Sequence, residues 1–446
     1  MNIKKSVLLA ALCLAATPLW ALDPLGAYRV KPPTGCVDKD VTQEELNLED
    51  LIQISICTNP SLASQYMGVK AQEATLGASR SQYLPSVNLT ATGTIKGSRT
   101  EGRSFTQEEP YAAKAEAAWL LFDWGGREAR VSSTRAYVNA AVFQYDAAFQ
   151  EMILSVQRAY LNLLAAKESL ISAKASLDTY KQSYDEAQKR YKLGMVSLSD
   201  KLQARTRYEQ ALLAVVQTEN EVEQNRGTLA ILINVSPDTP LQLYVPVFDD
   251  YATKIDNDNV QELMALARQY RPELQAQKST EEAAKSNLHS VKTQMLPSLS
   301  ATAAAAYSDN WKRHSPYGTE NSAGLLLSWP IFSGFSNMYA TQQASYAYKQ
   351  AQVETQNVTR QIENDVWSSY QNYKTALRSY EISQTVLESA EENHRVAFRY
   401  YEVGKTDIIS LLTAVAQLAD ARQNKITAFY NLLLSKANLA KSIGKY

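Results

Sequence analysis

Histidine is scarce in this 446-residue chain, with three residues, His289, His314 and His394, scattered and without cysteine neighbours. A metal centre or acid–base pair built on histidine is therefore not expected, and no cofactor is assigned. Neither sign of charge is in excess: 45 Lys and Arg stand against 46 Asp and Glu. That balance argues against nucleic acid as a partner, because phosphate binding needs clustered basic residues. Long hydrophobic runs are missing as well, and no later window reaches the roughly 18 apolar residues of a transmembrane helix. No G-x-S-x-G, H-E-x-x-H or P-loop pattern occurs, and the plentiful carboxylates lie at spacings typical of solvated helix faces, so an enzyme is the least favoured class. What remains is 45% apolar and 20% charged, the composition of an ordered chain able to bury a large core.

The first residues read as an export signal. Lys4 and Lys5 precede an apolar run from Val7 to Ala16, and Thr17-Pro18-Leu19-Trp20-Ala21 forms a cleavage region before Leu22. Residues 1–21 are thus expected to be a signal peptide, with 22–42 an N-terminal extension. Lipidation at Cys13 is disfavoured, because Leu12 is bulky where a small residue is needed. Removal of 1–21 leaves 43 basic against 46 acidic side chains and two cysteines, Cys36 and Cys57. In an oxidising compartment these two are expected to close a 22-residue loop as a structural disulfide, worth roughly 3 kcal/mol in the chain-entropy account.

The chain is written twice. Tyr83-Leu84-Pro85-Ser86 recurs as Met295-Leu296-Pro297-Ser298, and Asn59-Pro60-Ser61-Leu62 as Arg271-Pro272-Glu273-Leu274, both offset by 212. Leu121-Phe122 pairs with Ile331-Phe332, Val156 to Tyr160 with Val366 to Tyr370, and Tyr191-Lys192-Leu193-Gly194 with Tyr401-Glu402-Val403-Gly404, all offset by 210. The register implies two copies of one structural unit, 43–245 and 256–446, differing by two residues in a connection. Each copy reads helix, strand, loop, strand, very long helix, turn, helix. The long helices, 126–193 and 336–403, contain no proline and no internal glycine and are rich in strong helix formers. At ~1.5 Å per residue each spans about 100 Å, and a helix of that length must pack laterally as a coiled coil. Gly194 and Gly404 sit where a left-handed C-cap would end them. Ser197-x-x-Asp200 then starts a return helix, 199–233, with a capping box. Copy two offers Thr406 or Asp407 as the start of its return helix, 407–442.

The strand segments are expected at 86–97 and 111–121, and at 298–308 and 321–331. From Ser86 to Lys96, Val87, Leu89, Ala91, Gly93 and Ile95 alternate with polar residues, a period-two run of membrane-strand length. Tyr111 to Leu121 sets Lys114 and Glu116 opposite Ala113, Ala115, Ala117 and Trp119. Copy two repeats the pattern with Ala301, Ala303, Ala305, Leu325 and Leu327. Trp119, Trp124, Tyr307 and Trp329 suit an aromatic belt. Four strands cannot close a barrel, and an edge open to lipid leaves backbone groups unpaired at several kcal/mol each. The chain must therefore oligomerise, and a trimer would give twelve strands around a polar pore.

Asn59-Pro60-x-Leu62, Leu84-Pro85-Ser86, Leu296-Pro297-Ser298, Pro330-Ile331-Phe332-Ser333-Gly334, Arg190-Tyr191-x-x-Gly194 and Tyr401-x-x-Gly404-x-x-Asp407 together resemble the TolC family of outer-membrane channel-tunnels, over almost the whole mature chain. The first copy departs at Phe122-Asp123-Trp124-Gly125. The resemblance implies a mainly α protein with a membrane β-barrel: a homotrimer whose twelve-stranded barrel in the outer membrane is continued by a twelve-helix tunnel through the periplasm. It implies an exit duct that does no chemistry, served by a periplasmic adaptor and an inner-membrane pump or ABC transporter in drug efflux or type I secretion. It further implies that the helical tips, Arg190, Tyr191, Leu193, Gly194, Met195, Val196 and Ser197 with Val403, Gly404 and Asp407, meet the adaptor. Tyr401 and Asp200 match positions whose hydrogen bonding helps to hold the closed state. The Arg that assists them falls at Thr406, beside Lys405, and the two Asp that ring the entrance fall at Ser410 and Thr413, which implies weaker cation selectivity. Two other classes stay open at this point: a structural coiled-coil protein, and a periplasmic adaptor, which should have one helical hairpin where this chain has two.

Overall fold

The computed structural model describes residues 45–98, 106–244, 259–310 and 318–445. The leader and extension read at 1–42 lie outside them, as does Cys36; Cys57 is disulfide-bonded. In chain order the elements are α1 (Leu48–Thr58), α2 (Pro60–Arg80), β1 (Ser86–Gly93), β2 (Lys96–Ser98), β3 (Thr106–Glu108), β4 (Pro110–Phe122), α3 (Gly126–Lys192), α4 (Leu198–Leu232), α5 (Val260–Tyr270), α6 (Pro272–Thr293), β5 (Ser298–Asn310), β6 (Gly318–Ser328), α7 (Ser336–Glu402) and α8 (Ile408–Ser442). Among the described residues no helix is long and apolar enough to cross a membrane. Two compact units form, one from the described parts of 68–141 and 278–353, the other from those of 32–67, 142–277 and 354–446. Each unit takes matching pieces of both sequence copies, so the copies are not the folding units.

In the helical unit, local chemistry sets the element ends. The amide of Asp50 donates to Asn47 Oδ1 at 2.8 Å and the amide of Asn47 to Asp50 Oδ2 at 3.2 Å, a capping box that opens α1. Asn59 is extended, as the residue before a proline prefers, and Pro60 then opens α2, where its missing N–H costs nothing. Arg271-Pro272 repeats this break between α5 and α6.

The duplication reappears in the packing. One core cluster joins Leu51 to Val156, Tyr160, Leu229 and Ile233. A second joins Leu263 to Val366, Tyr370, Leu439 and Ile443, the same positions one copy later. Each fully buried Leu or Val contributes roughly 1.5–3 kcal/mol, so α1 and α5 are held chiefly by these apolar contacts. The residue before each proline also secures the end of its own return helix. Asn59 Nδ2 donates to the Leu232 carbonyl at 3.0 Å. The buried Arg271 donates to the Ser442 carbonyl at 3.3 Å, with its charge paired to Glu273 at 2.9 Å. Both bonds satisfy carbonyls that a helix end leaves without an intrahelical partner.

The other unit is built on an antiparallel sheet in the order β1-β4-β5-β6. The central pairing, β4 with β5, joins the hairpin of one copy to that of the other. Residues directly opposite each other share a face. Val87, Ala117 and Ala303, and likewise Leu89, Ala115 and Ala305, therefore lie on one side, where Leu325 and Leu327 face Ala301 and Leu299. Asn88, Glu116, Ala304 and Ser322 lie on the other, where Lys114 pairs with Glu116 at 2.8 Å. Val87, Leu89, Leu325 and Leu327 are all exposed.

Two strands differ from their sequence reading. β1 stops at Gly93 and Lys96 begins β2, which pairs only with β3. Thr94 still donates to the Pro110 carbonyl at 2.9 Å, but proline has no N–H to return, so the ladder ends there. β6 runs from Gly318 to Ser328, three residues earlier than alternation places it. Three successive leucines, 325–327, conceal the phase, and Pro330 prevents continuation beyond Trp329.

The departure at Phe122-Asp123-Trp124-Gly125 also resolves. Trp124 and Gly125 have φ of 56° and 80°, and the matching Gly334 and Phe335 have 61° and 66°. Both copies thus use two successive left-handed residues between strand and long helix, with glycine placed second in one and first in the other. The non-glycine member costs roughly 1–2 kcal/mol. In copy one Asp123 accepts the Arg127 amide at 2.7 Å, and the Arg127 guanidinium donates to the Leu120 and Leu121 carbonyls at 2.6 and 3.0 Å. Trp124 Nε1 donates to the Pro297 carbonyl at 2.8 Å and Trp119 Nε1 to the Tyr83 carbonyl at 2.9 Å. These indoles combine an apolar body with a satisfied polar end.

Candidate functional site

The turns that join each long helix to its return helix are the most regular irregular segments of the helical unit. After α3, Gly194 adopts φ 70°. Its amide donates to the Tyr191 carbonyl at 3.0 Å, and the Met195 amide to the Arg190 carbonyl at 2.9 Å. After α7, Gly404 adopts φ 73°, with the Gly404 amide on the Tyr401 carbonyl at 3.0 Å and the Lys405 amide on the Tyr400 carbonyl at 2.8 Å. Both are Schellman caps, which need a left-handed residue that glycine adopts without steric cost.

The return helices then start on side-chain caps. The Asp200 amide donates to Ser197 Oγ at 3.1 Å while the Ser197 amide donates to Asp200 Oδ2 at 3.0 Å. Copy two uses Asp407 rather than Thr406: the Ser410 amide donates to Asp407 Oδ1 at 2.7 Å. That bond holds the Asp407 carboxyl below its ordinary range. Thr406 lies half-buried one residue earlier.

Between the two turns sits Tyr401, 1% exposed. It packs with Ile408, Leu411 and Val415 of α8 and Ala204 and Ala211 of α4. Its ring lies 4.6 Å from the Arg190 guanidinium, and its hydroxyl is buried with no hydrogen-bond partner among the described residues. Burial pushes the phenol pKa up, partly opposed by the Arg190 charge. Arg190, itself buried, bonds through Nε to Glu186 at 3.0 Å and through Nη2 to the carbonyl of Glu402. One guanidinium thus ties the end of α3 to the end of α7 and covers the tyrosine between them. Cation–π contacts of this kind are worth about 0.5–2 kcal/mol.

The residues read from sequence as a gate are brought together only in part. Tyr401 and Asp200 make no hydrogen bond to each other within the chain, because the Asp200 carboxylate is engaged by Ser197. Lys405 does not join Tyr401; its ammonium lies 6.0 Å from the Tyr400 ring. Ser410 and Thr413 are exposed, and Thr413 Oγ1 donates back to the Ile409 carbonyl at 2.8 Å. The sequence alone marks Arg190 only as a tip residue. Its link to Glu402 escapes sequence reasoning because the acceptor is a backbone carbonyl, although a basic side chain in the last turn of a helix is itself a cue. Leu193, Met195 and Val403 are exposed at the turns, Val196 is half-buried, and Tyr191 stacks under the Lys201 ammonium at 5.1 Å.

Comparison with known proteins matches the chain to a family. The family model described as outer membrane efflux protein matches residues 51–235 and 263–445, one stretch for each copy. Protein CyaE of Bordetella pertussis is 26% identical over 405 residues, covering 90% of this chain and 84% of that protein. Outer membrane protein TolC of Vibrio cholerae is 26% identical over 417 residues, covering 89% and 90% respectively. Among solved structures, the outer-membrane channel OprN superposes with a TM-score of 0.79 at 19% identity, covering 94% of this chain and 98% of its own. The Campylobacter jejuni CmeC outer membrane channel gives 0.77 at 18%, covering 89% and 85%. At such identity the structural likeness is one of fold.

Proposed function

This chain belongs to the outer membrane efflux protein family, and from that premise we propose that it is the outer-membrane exit duct of a tripartite efflux pump or type I secretion system. It acts as a passive homotrimeric channel with no catalytic step. Three four-stranded sheets close a twelve-stranded barrel in the outer membrane, and the long and return helices build a twelve-helix tunnel in the periplasm. A periplasmic adaptor and an inner-membrane pump or ABC transporter complete the machine.

The observation that carries this reading is the sheet. One face is apolar and exposed, the opposite face bears an ion pair and hydroxyls, and the outer edges of β1 and β6 have no partner strand among the described residues. Such a sheet is stable in lipid only when sister chains pair with both edges. A structural coiled coil would have no use for it. The test is fractionation followed by electrophoresis with and without boiling. A detergent-extracted outer-membrane species that falls from trimer to monomer mass on heating supports the duct, and a monomer that remains soluble without detergent refutes it.

In the duct, the caps at Gly194 and Gly404 lie at the periplasmic entrance, where the exposed Leu193, Met195 and Val403 offer apolar contacts to adaptor hairpins. The buried Tyr401 under Arg190 holds the entrance helices together. This assignment predicts a pH response. Because burial raises the Tyr401 phenol pKa in the packed tip, its packing is undiminished below the ordinary tyrosine pKa of about 10. It weakens as pH rises above that value, where a loosened tip can ionise the phenol and a packed one resists. Single-channel conductance of the wild type is expected to rise above about pH 10, and the rise to vanish in Tyr401→Phe. An identical alkaline response in both proteins would remove Tyr401 from the gate.

A further inference from the structure

The two tip segments, alike in backbone, differ in charge. Residues 187–207 carry six basic side chains against one Asp, whereas the matching residues 397–417 carry two basic and two acidic ones. Half of the first set have a carboxylate within ion-pair distance. Arg190 and Lys189 share Glu186, and Arg205 approaches Glu209 at 3.7 Å. Lys192, Lys201 and Arg207 have no carboxylate at that distance among the described residues: Lys201 sits over the Tyr191 ring, and Arg207 Nη1 reaches only the Gln210 amide oxygen at 3.2 Å. Asp200, the sole acid of the segment, is occupied in capping α4.

A groove of about 870 Å³ runs between α4 and α8 at this end. Its walls include Leu202, Gln203, Thr206, Gln210 and Thr413, and Arg207 is its only charged residue among the described residues. Thr413, an entrance position that carries no acid here, therefore faces a space whose fixed charge is positive. We propose that the tip groove is an anion-selecting constriction, so that this duct favours anionic solutes and anionic cargo over cations. The inference rests on the channel reading and adds its substrate class. Fixed charge of one sign at a narrow, low-dielectric passage concentrates counter-ions and repels co-ions. At about 6 Å in water one unit charge raises the local anion concentration and lowers the cation concentration by roughly threefold each, which is about tenfold in their ratio.

The test uses the full-length channel in planar bilayers, with the reversal potential measured across a KCl gradient. The wild type is expected to prefer chloride. Arg207→Gln should lower the chloride-to-potassium permeability ratio by about threefold or more, and Arg207→Glu should invert the preference. Thr413→Asp, an exposed change that leaves every basic residue in place, should shift selectivity toward potassium. A cation-preferring wild type, or a reversal potential unmoved by Arg207→Glu in channels of normal conductance, overturns the inference. Failure to obtain discrete conductance from any of the proteins would overturn the channel itself.

Discussion

Arg190→Ala is expected to raise the open probability of the channel by tenfold or more, the largest change available from one side chain at the tip. The guanidinium is buried, bonds to the Glu402 carbonyl and covers the Tyr401 ring. A hydrogen bond to a charged group is worth about 1.5–3 kcal/mol, and about 1.4 kcal/mol is a factor of ten in an equilibrium. In the proposed trimer every copy loses the link at once, so the shift in the open–closed balance is compounded. Truncation also leaves the last carbonyls of α7 with one bond fewer and exposes one side of Tyr401. The readout is single-channel conductance together with vancomycin sensitivity of cells. Arg190→Lys should restore part of the effect, because an ammonium keeps the charge but lacks the planar fork that bonds Glu186 and Glu402 together. Wild-type conductance and sensitivity in Arg190→Ala would mean that the residue only caps a helix end.

Why Arg190 had to be found in the structure follows from the reach of sequence patterns. A capping box is written three residues apart, so Ser197 and Asp200 announce α4 by themselves. Glycines that end proline-free helices do the same for the turns at Gly194 and Gly404. The two core clusters were foreshadowed by the recurrence of Val156 and Tyr160 as Val366 and Tyr370, because burial in equivalent places preserves equivalent residues. Arg190 and Glu402, by contrast, are 212 positions apart and joined through a backbone oxygen, which any residue type could have supplied. Strand ends show a second kind of limit. Alternation identifies a face, but the extent of a strand depends on what its neighbour can return. Pro110 ends the ladder opposite Thr94, and the pairing of Ser308 with Gly318 fixes β6 where Leu325, Leu326 and Leu327 leave the period unreadable. The Tyr401–Asp200 contact inferred from resemblance shows a third. Asp200 carries two possible roles, and the local one, capping its own helix, is the one its geometry fulfils within the chain.

The same sheet geometry makes a sharp comparison possible between two residues three positions apart. Leu325 and Ser322 lie on opposite faces of β6, Leu325 opposite Ala301 and Ser322 opposite Ala304. An arginine in place of Leu325 would meet hydrocarbon, at about 2–4 kcal/mol per copy near the bilayer midplane. Three copies assembled together would lose roughly 6–12 kcal/mol, which is of the order of a whole domain's stability. An arginine in place of Ser322 would face the polar side shared by Lys114 and Glu116, where water and a carboxylate offset its charge. Leu325→Arg is therefore expected to abolish the heat-dissociable trimer in outer-membrane fractions, and Ser322→Arg to assemble at wild-type levels with altered conductance. Both carry the same added charge and bulk on one strand, so a general folding defect would affect them alike. Equal assembly of the two, or loss of Ser322→Arg alone, would place the wrong face toward lipid.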